Sequence, residues 1–78
     1  MLHEMKLLSE YYEDVRDGNK QFELQKDGRN VQVGDELLLR EWTGEHYTGR
    51  QVRVEVTYVL RNCPQYGLMD GYCIIGIY

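Results

Sequence analysis

The stretch QVRVEVTYVLR, residues 51–61, decides the fold class. Its apolar residues recur at every second position, and polar residues occupy most of the positions between them. This period is typical of a β-strand that has one face in the core and the other in water. The pattern predicts that the core-facing residues of this strand are Val52, Val54, Val56, Tyr58 and Leu60.

Shorter segments on both sides also carry strand signals, and turn residues separate them. Together with residues 51–61, the predicted strands are 2–7, 20–26, 37–42 and 72–78. Residues 29–33, after the Asp27-Gly28 turn, form either a sixth strand or a loop. Residues 43–49 and 62–71 are polar, contain glycines and are predicted to be loops.

One short helix is predicted over residues 9–17. Ser9 is a typical N-cap residue, Tyr12 and Val15 share a helical face, and Gly18 suits the position that ends a helix. Tyr12 is expected in the core together with Tyr58. The fold class is therefore α+β and mostly β: a small, partly closed β-barrel of five or six strands with one short N-terminal helix.

Length and charge limit the possible functions. With 78 residues, the chain forms one domain, residues 1–78. The net charge of −4 argues against a general duplex binder, because such proteins gain their affinity by neutralising phosphates. A local basic stripe on an acidic body remains compatible with this charge.

Metal, cofactor and membrane functions find no support. The two cysteines do not form a CxxC pair, and the two histidines are not at zinc-ligand spacing, so we expect reduced thiols, no metal and no cofactor. The N-terminal segment lacks a secretory apolar region, and no apolar run approaches membrane-spanning length. We therefore expect a cytoplasmic protein without a membrane partner.

Candidate binding groups concentrate in GNKQFELQKDGRNVQVGD, residues 18–35. Lys20 and Glu23 converge only if the chain turns between them; such a pair can serve as base, acid or phosphate clamp, or be a plain surface ion pair. Arg29 and Arg50 each follow a glycine in a loop-like stretch, where binding groups tend to lie.

Aromatic side chains are frequent, with seven tyrosines and one tryptophan. Such rings suit stacking on bases, and they equally suit half-buried strands. Tyr47, Tyr72 and Trp42 fit either use. No nucleophile elbow and no phosphate-cradling glycine loop is present.

Residues 18–25, GNKQFELQ, resemble the G-x-K-x-x-E-x-R signature of the ASCH domain, a branch of the PUA-like superfamily. YTGR at 47–50, TYVL at 57–60 and GYCI at 71–74 are similar, in order, to one small bacterial and phage group within it. The resemblance implies a pseudo-barrel with a cleft lined by Lys20 and Glu23, and binding of RNA or a nucleotide.

Two departures from the signature affect function. Gln25 stands where the signature has arginine, which removes a planar, permanently charged group from any phosphate or carboxylate recognition. Some ASCH proteins resemble amidohydrolases of acetylated cytidine, but Glu23 occupies the position of their threonine. This difference argues against that activity.

The leading hypothesis is a binding module, rather than an enzyme, for single-stranded RNA or a nucleotide. The predicted ligand-binding residues are Lys20, Glu23, Lys26, Arg29, Tyr47, Arg50 and Tyr72. One alternative is a small hydrolase acting on a modified nucleoside, with Lys20 and Glu23 as catalytic candidates. Another is a phage or mobile-element accessory protein that binds a protein partner.

Overall fold

The computed structural model describes residues 1–78 and contains five strands and one α-helix. The elements are β1 (Leu2–Leu8), α1 (Ser9–Arg16), β2 (Phe22–Lys26), β3 (Glu36–Trp42), β4 (Tyr47–Arg61), a 3₁₀ turn (Pro64–Tyr66) and β5 (Tyr72–Ile77). The small α+β, mostly β class is confirmed. Residues 29–33 form a loop, in which Asn30 has a φ of 50°. No helix has both the length and the apolar character needed to cross a membrane.

The sheet is open, with strand order β1-β3-β4-β5-β2. β1 runs parallel to β3, and the other neighbours are antiparallel. The expected closure into a barrel is wrong, because the two edge strands β1 and β2 do not pair. Side chains instead form hydrogen bonds with backbone carbonyl groups of the edge strands. Arg29 Nη1 donates to Glu4 O at 2.6 Å, and Lys20 Nζ donates to Phe22 O at 3.0 Å.

The core lies on one face of the curved sheet, beneath α1. Alternate residues of each strand point inward, and two residues of α1, Tyr12 and Val15, pack onto them. Cys73, Ile75 and Ile77 of β5 face the core. Tyr12 is buried, which confirms its assignment to the core.

A β-bulge in β4 overturns part of the predicted core. The register of β4 against β5 shifts between Val56 and Tyr58, so one extra residue reverses the inward and outward sides of the strand beyond it. Val54 and Val56 remain buried, whereas Tyr58 is 64 % exposed. Leu60 is also on the outer side, so the prediction that Tyr58 and Leu60 lie in the core is wrong.

The start of α1 also differs from the prediction. The chain passes from β1 directly into the helix, so Leu8 is the N-cap residue and Ser9 is the first helical residue. Leu8 still pairs with Trp42 at the end of β3. The Ser9 hydroxyl therefore lies beside β3 and donates to Trp42 O at 3.5 Å instead of capping α1.

Candidate functional site

The gap between the edge strands β1 and β2 forms a cleft with two connected lobes. The inner lobe has a volume of about 400 Å³ and lies between the end of β1, the start of α1 and β2. The outer lobe, of about 590 Å³, shares Lys6 and Gln25 with the inner lobe and adds Arg29 and Tyr47. The open sheet therefore creates a cleft large enough for a small ligand.

Lys20 and Glu23 converge in the inner lobe. Lys20 lies between the turn that follows α1 and the start of β2, and its Nζ lies 2.8 Å from Glu23 Oε1. Glu23 points inward from β2 and is only 5 % exposed. A buried carboxylate needs a partner, and Lys20 supplies it. The Lys20 Nζ also lies over the rings of Tyr11 and Phe22, at 5.0 and 4.8 Å from their centroids.

Gln25 lies beside this pair. Its Nε2 is 3.5 Å from Glu23 Oε2, at the limit of a hydrogen bond. Because Gln25 lines both lobes, the residue that departs from the signature stands where the lobes meet. The second oxygen of Glu23 is thus only weakly engaged and can accept a hydrogen bond from a ligand.

Aromatic and cationic side chains alternate beyond the outer lobe. The Lys6 Nζ lies 4.0 Å above the Trp42 ring, and the Arg40 Cζ lies 3.8 Å above the Tyr47 ring. The two rings meet edge to face with their centroids 4.9 Å apart. Cation–π contacts of this kind hold flat surfaces in place while leaving the charge available to a ligand.

Two of the three cations without a carboxylate partner line the cleft. The protein has nine lysines and arginines, and six of them lie within 4.0 Å of a carboxylate oxygen. The other three are Lys6 and Arg29, which line the outer lobe, and Lys26, at the end of β2. Positive charge that is not neutralised therefore gathers along the edge strands of an acidic chain.

Arg50 lies apart from the cleft. Its guanidinium makes two hydrogen bonds to the buried carboxylate of Glu41, Nε to Oε1 at 2.8 Å and Nη2 to Oε2 at 2.9 Å. The Thr48 hydroxyl donates to the same carboxylate at 2.6 Å. The Arg50 hydrogen bond, followed by that of Thr48, lowers the pKa of Glu41 to about 2. The structure therefore does not bring Arg50 together with Lys20.

Tyr72 and Lys26 lie on the outer side of β5 and β2, where they form a register pair. Tyr72 lines a shallow apolar depression of about 170 Å³ with Leu24 and Met69. Of the residues predicted to bind a ligand, the cleft thus contains Lys20, Glu23, Arg29 and Tyr47.

A further concavity of about 450 Å³ lies on the opposite side of Lys20, between the end of α1 and β4. Its two arginines are neutralised, because Arg16 pairs with Glu13 and Asp17, and Arg53 pairs with Glu36. We therefore regard the cleft as the candidate site for an anionic ligand.

Three cleft residues were missed by the sequence analysis as binding residues: Lys6, Tyr11 and Phe22. The period-two pattern of the first strand places Lys6 on its polar side, so charge and alternation together would have indicated it. Nothing in the sequence pattern shows that Tyr11 of α1 and Phe22 of β2 line the same cleft, because the cleft exists only where the sheet stays open.

The cleft suits recognition of a polar or anionic ligand by hydrogen bonds, charge and ring contacts. No group of three or more histidine, cysteine, aspartate or glutamate side chains is placed to hold a metal ion. Both cysteines are free thiols, and burial raises the pKa of the Cys73 thiol.

Comparison with known proteins identifies a domain family and a similar phage protein. The model of the family described as "Domain of unknown function (DUF3850)" matches residues 2–77. The "Uncharacterized 12.9 kDa protein in GpA 3'region" of Escherichia phage P2 is 41 % identical over 58 residues, which cover 74 % of this chain and 53 % of that protein. The chain thus spans about half the length of the curated relative that it matches. Since the family model covers nearly the whole chain, this protein belongs to the DUF3850 family.

Proposed function

We propose that this protein binds single-stranded RNA or a nucleotide in the cleft between β1 and β2. One observation carries the proposal: of the three cations without a carboxylate partner, Lys6 and Arg29 line the outer lobe of the cleft, while the third, Lys26, lies on the outer side of β2. In a chain of net charge −4, this arrangement creates a local phosphate-binding surface on an acidic body.

The two lobes suit different parts of a nucleotide. In the outer lobe, Arg29 and Lys6 meet the phosphate, and Tyr47 offers a ring for stacking. In the inner lobe, a base packs against Tyr11 and Phe22. Glu23 then accepts a hydrogen bond from an amino group of the base at Oε2, while Lys20 stays paired with Oε1.

We also propose that the family is an ASCH-like branch of the PUA-like superfamily. The proposal is supported by the G-x-K-x-x-E signature in the cleft, by a helix directly after the first strand, and by the mostly β fold. The open sheet is a departure from the pseudo-barrel that this relationship implies. The ligand would be met in the cytoplasm, where the free thiols of Cys63 and Cys73 stay reduced.

The test is binding of a short, mixed-sequence RNA, followed by fluorescence anisotropy at several salt concentrations. Lys6→Ala and Arg29→Ala should each weaken binding at least about threefold and reduce the salt slope by about one charge. Arg53→Ala is the matched control, because Arg53 is already paired with Glu36 through two bonds. Equal affinity of all three variants and the unaltered protein would reject the cleft as the RNA site.

A second candidate function is hydrolysis of a modified nucleoside. It is favoured by the 2.8 Å contact between Lys20 Nζ and the buried Glu23, a pair able to move a proton within a cleft. Incubation with a panel of modified nucleosides should release acetate or ammonia, and Glu23→Gln should abolish the release. If no nucleoside in the panel is turned over, this second function fails, and RNA binding is unaffected by that result.

A further inference from the structure

The outer side of β2 and β5 is unusually apolar for a surface facing water. β5 is apolar on both sides: Ile75 and Ile77 point into the core, while Ile74 and Tyr72 point outward and stay partly exposed. A strand apolar on both sides is typical of one that is covered on both sides. β2 is inverted, with the carboxylate of Glu23 inside and Leu24, which is 56 % exposed, outside.

The bulge in β4 extends this apolar surface. Without the bulge, the alternation of β4 would direct Tyr58 and Leu60 inward. With it, Tyr58 forms a row with Gly76 and Phe22, and Leu60 forms a row with Ile74 and Leu24. Bulges are features that redirect side chains rather than defects. Here the redirection exposes two large apolar side chains that the core would otherwise take up.

We call this surface the outer apolar face and define it by Leu24, Tyr58, Leu60, Met69, Tyr72 and Ile74. Among the outward positions of β2, β5 and the part of β4 beyond the bulge, Lys26 is the only charged residue. Depletion of charge together with aromatic and methionine side chains is the composition of the centre of a protein interface. A single cation is too little positive charge to bind RNA phosphates, so the face suits contact with a protein.

We propose that the outer apolar face is covered by a second copy of this chain, in a two-fold symmetric dimer. The face has no pattern of charges that would select a different partner, and an apolar sheet face is complementary to itself when two sheets pack face to face. The exposed side chains, including Met69 at 69 %, offer roughly 500 Å² per copy, on the scale of the patches that mark interaction sites.

The same area is typical of a weak dimer. Two copies bury roughly 1,000 Å² together, below the roughly 1,200–2,000 Å² of stable specific interfaces and within the range of transient ones. We therefore expect a reversible dimer with a Kd of about 10–100 µM. The cleft borders this face at Leu24, which also lines the inner lobe, but none of the residues proposed to contact RNA belongs to the face, so the dimer does not require a ligand.

Sedimentation equilibrium of the unaltered protein tests this proposal without RNA. At loading concentrations from about 5 to about 500 µM, the average mass should rise from 9.3 kDa toward twice that value. Leu60→Glu and, separately, Tyr58→Ser should each raise the Kd at least about tenfold. Gln51→Glu, a charge on the part of β4 that pairs with β3, should leave the Kd unchanged.

Thermal melting followed by circular dichroism verifies that each variant is folded, and two different substitutions keep the test valid if one of them unfolds. A constant mass of 9.3 kDa up to the highest concentration would overturn the proposal. Dimerisation that persists in both folded variants would also overturn it, because the contact would then lie elsewhere. RNA binding is measured separately, so failure of the dimer leaves the cleft proposal intact.

Discussion

Arg50 holds the buried carboxylate of Glu41 with both of its facing nitrogens, at 2.8 and 2.9 Å. Glu41 is 3 % exposed and points inward from β3. The Arg50 guanidinium also lies 4.4 Å above the ring of Tyr12, so it joins the ends of β3 and β4 to α1. The Y-T-G-R stretch at 47–50 therefore has a structural role in positioning the helix that borders the cleft.

Loss of this ion pair should destabilise the fold. Arg50→Ala leaves the Glu41 carboxylate buried without its main partner, which is among the costly changes a protein can undergo. We expect the melting temperature to fall by at least about 5 °C. Arg53→Ala, which removes an exposed pair with Glu36, should lower it far less. Equal decreases in melting temperature in both variants would show that burying Glu41 does not make its ion pair more important for stability than the exposed pair.

Acid should weaken the protein through two carboxylates. The pKa of Glu41 is lowered to about 2 by Arg50 and Thr48, and that of Asp35 to about 2, chiefly by the hydrogen bond with His3. A carboxylate whose pKa is lower in the folded state binds fewer protons there than in the unfolded chain. Its contribution is therefore complete above its ordinary pKa and is lost as the pH falls through the folded value.

The melting temperature should accordingly stay level above a pH of about 5 and fall steadily between about 4.5 and 2. Glu41→Gln and Asp35→Asn should each start from a lower melting temperature and show a shallower fall. A variant whose melting temperature follows the same pH curve as the unaltered protein would exclude that carboxylate as a source of the acid sensitivity.

Gln25→Arg should strengthen RNA binding. Position 25 lines both lobes of the cleft, and its side chain already reaches within 3.5 Å of Glu23 Oε2. An arginine there adds a planar cation that either pairs with Glu23 or meets a phosphate. We expect a gain of about threefold to tenfold in affinity at physiological salt, measured by fluorescence anisotropy. Gln51→Arg adds the same charge away from the cleft and should change affinity less; an equal gain would indicate a general charge effect.

Gly76→Ala should destabilise the sheet at the bulge. A Cβ at position 76 would lie 2.8 Å from Thr57 Oγ1 and 3.4 Å from the Tyr58 nitrogen. Crowding of this kind costs about 1–2 kcal/mol of unfolding free energy, measurable by urea denaturation. Thr57→Ala removes the nearest atom, so the double variant should recover part of the loss. Strictly additive effects would mean that Thr57 does not limit the space above Gly76.

Much of the fold was accessible from local patterns. The alternation in residues 51–61 predicted a strand, and the spacing of Tyr12 and Val15 predicted a helix. The bulge was not accessible, because it depends on how β4 pairs with β5, and a single extra residue reverses the two sides of the strand. Tyr58 was therefore assigned to the wrong side by a pattern that describes Val54 and Val56 correctly.

The candidate site was also predicted only in part from the sequence. Lys20 and Glu23 were predicted to pair if the chain turns between them; the two do pair, but the turn precedes Lys20, whose side chain reaches Glu23 from just before β2. Arg50 could not be separated from Arg29 on sequence grounds, since each follows a glycine near acidic residues. The burial of Glu41 distinguishes the two arginines. A carboxylate inside the fold requires a cationic partner, and Arg50 is the arginine that pairs with it.

The open sheet also affects how the protein behaves at high concentration. Free edge strands can pair with those of other molecules and start aggregation, and long charged side chains oppose this. Lys6 and Arg29 at β1 and Lys20 and Lys26 at β2 place positive charge along both edges. Two of these side chains, Lys6 and Arg29, are also proposed to hold RNA, so solubility constrains these positions independently of ligand affinity.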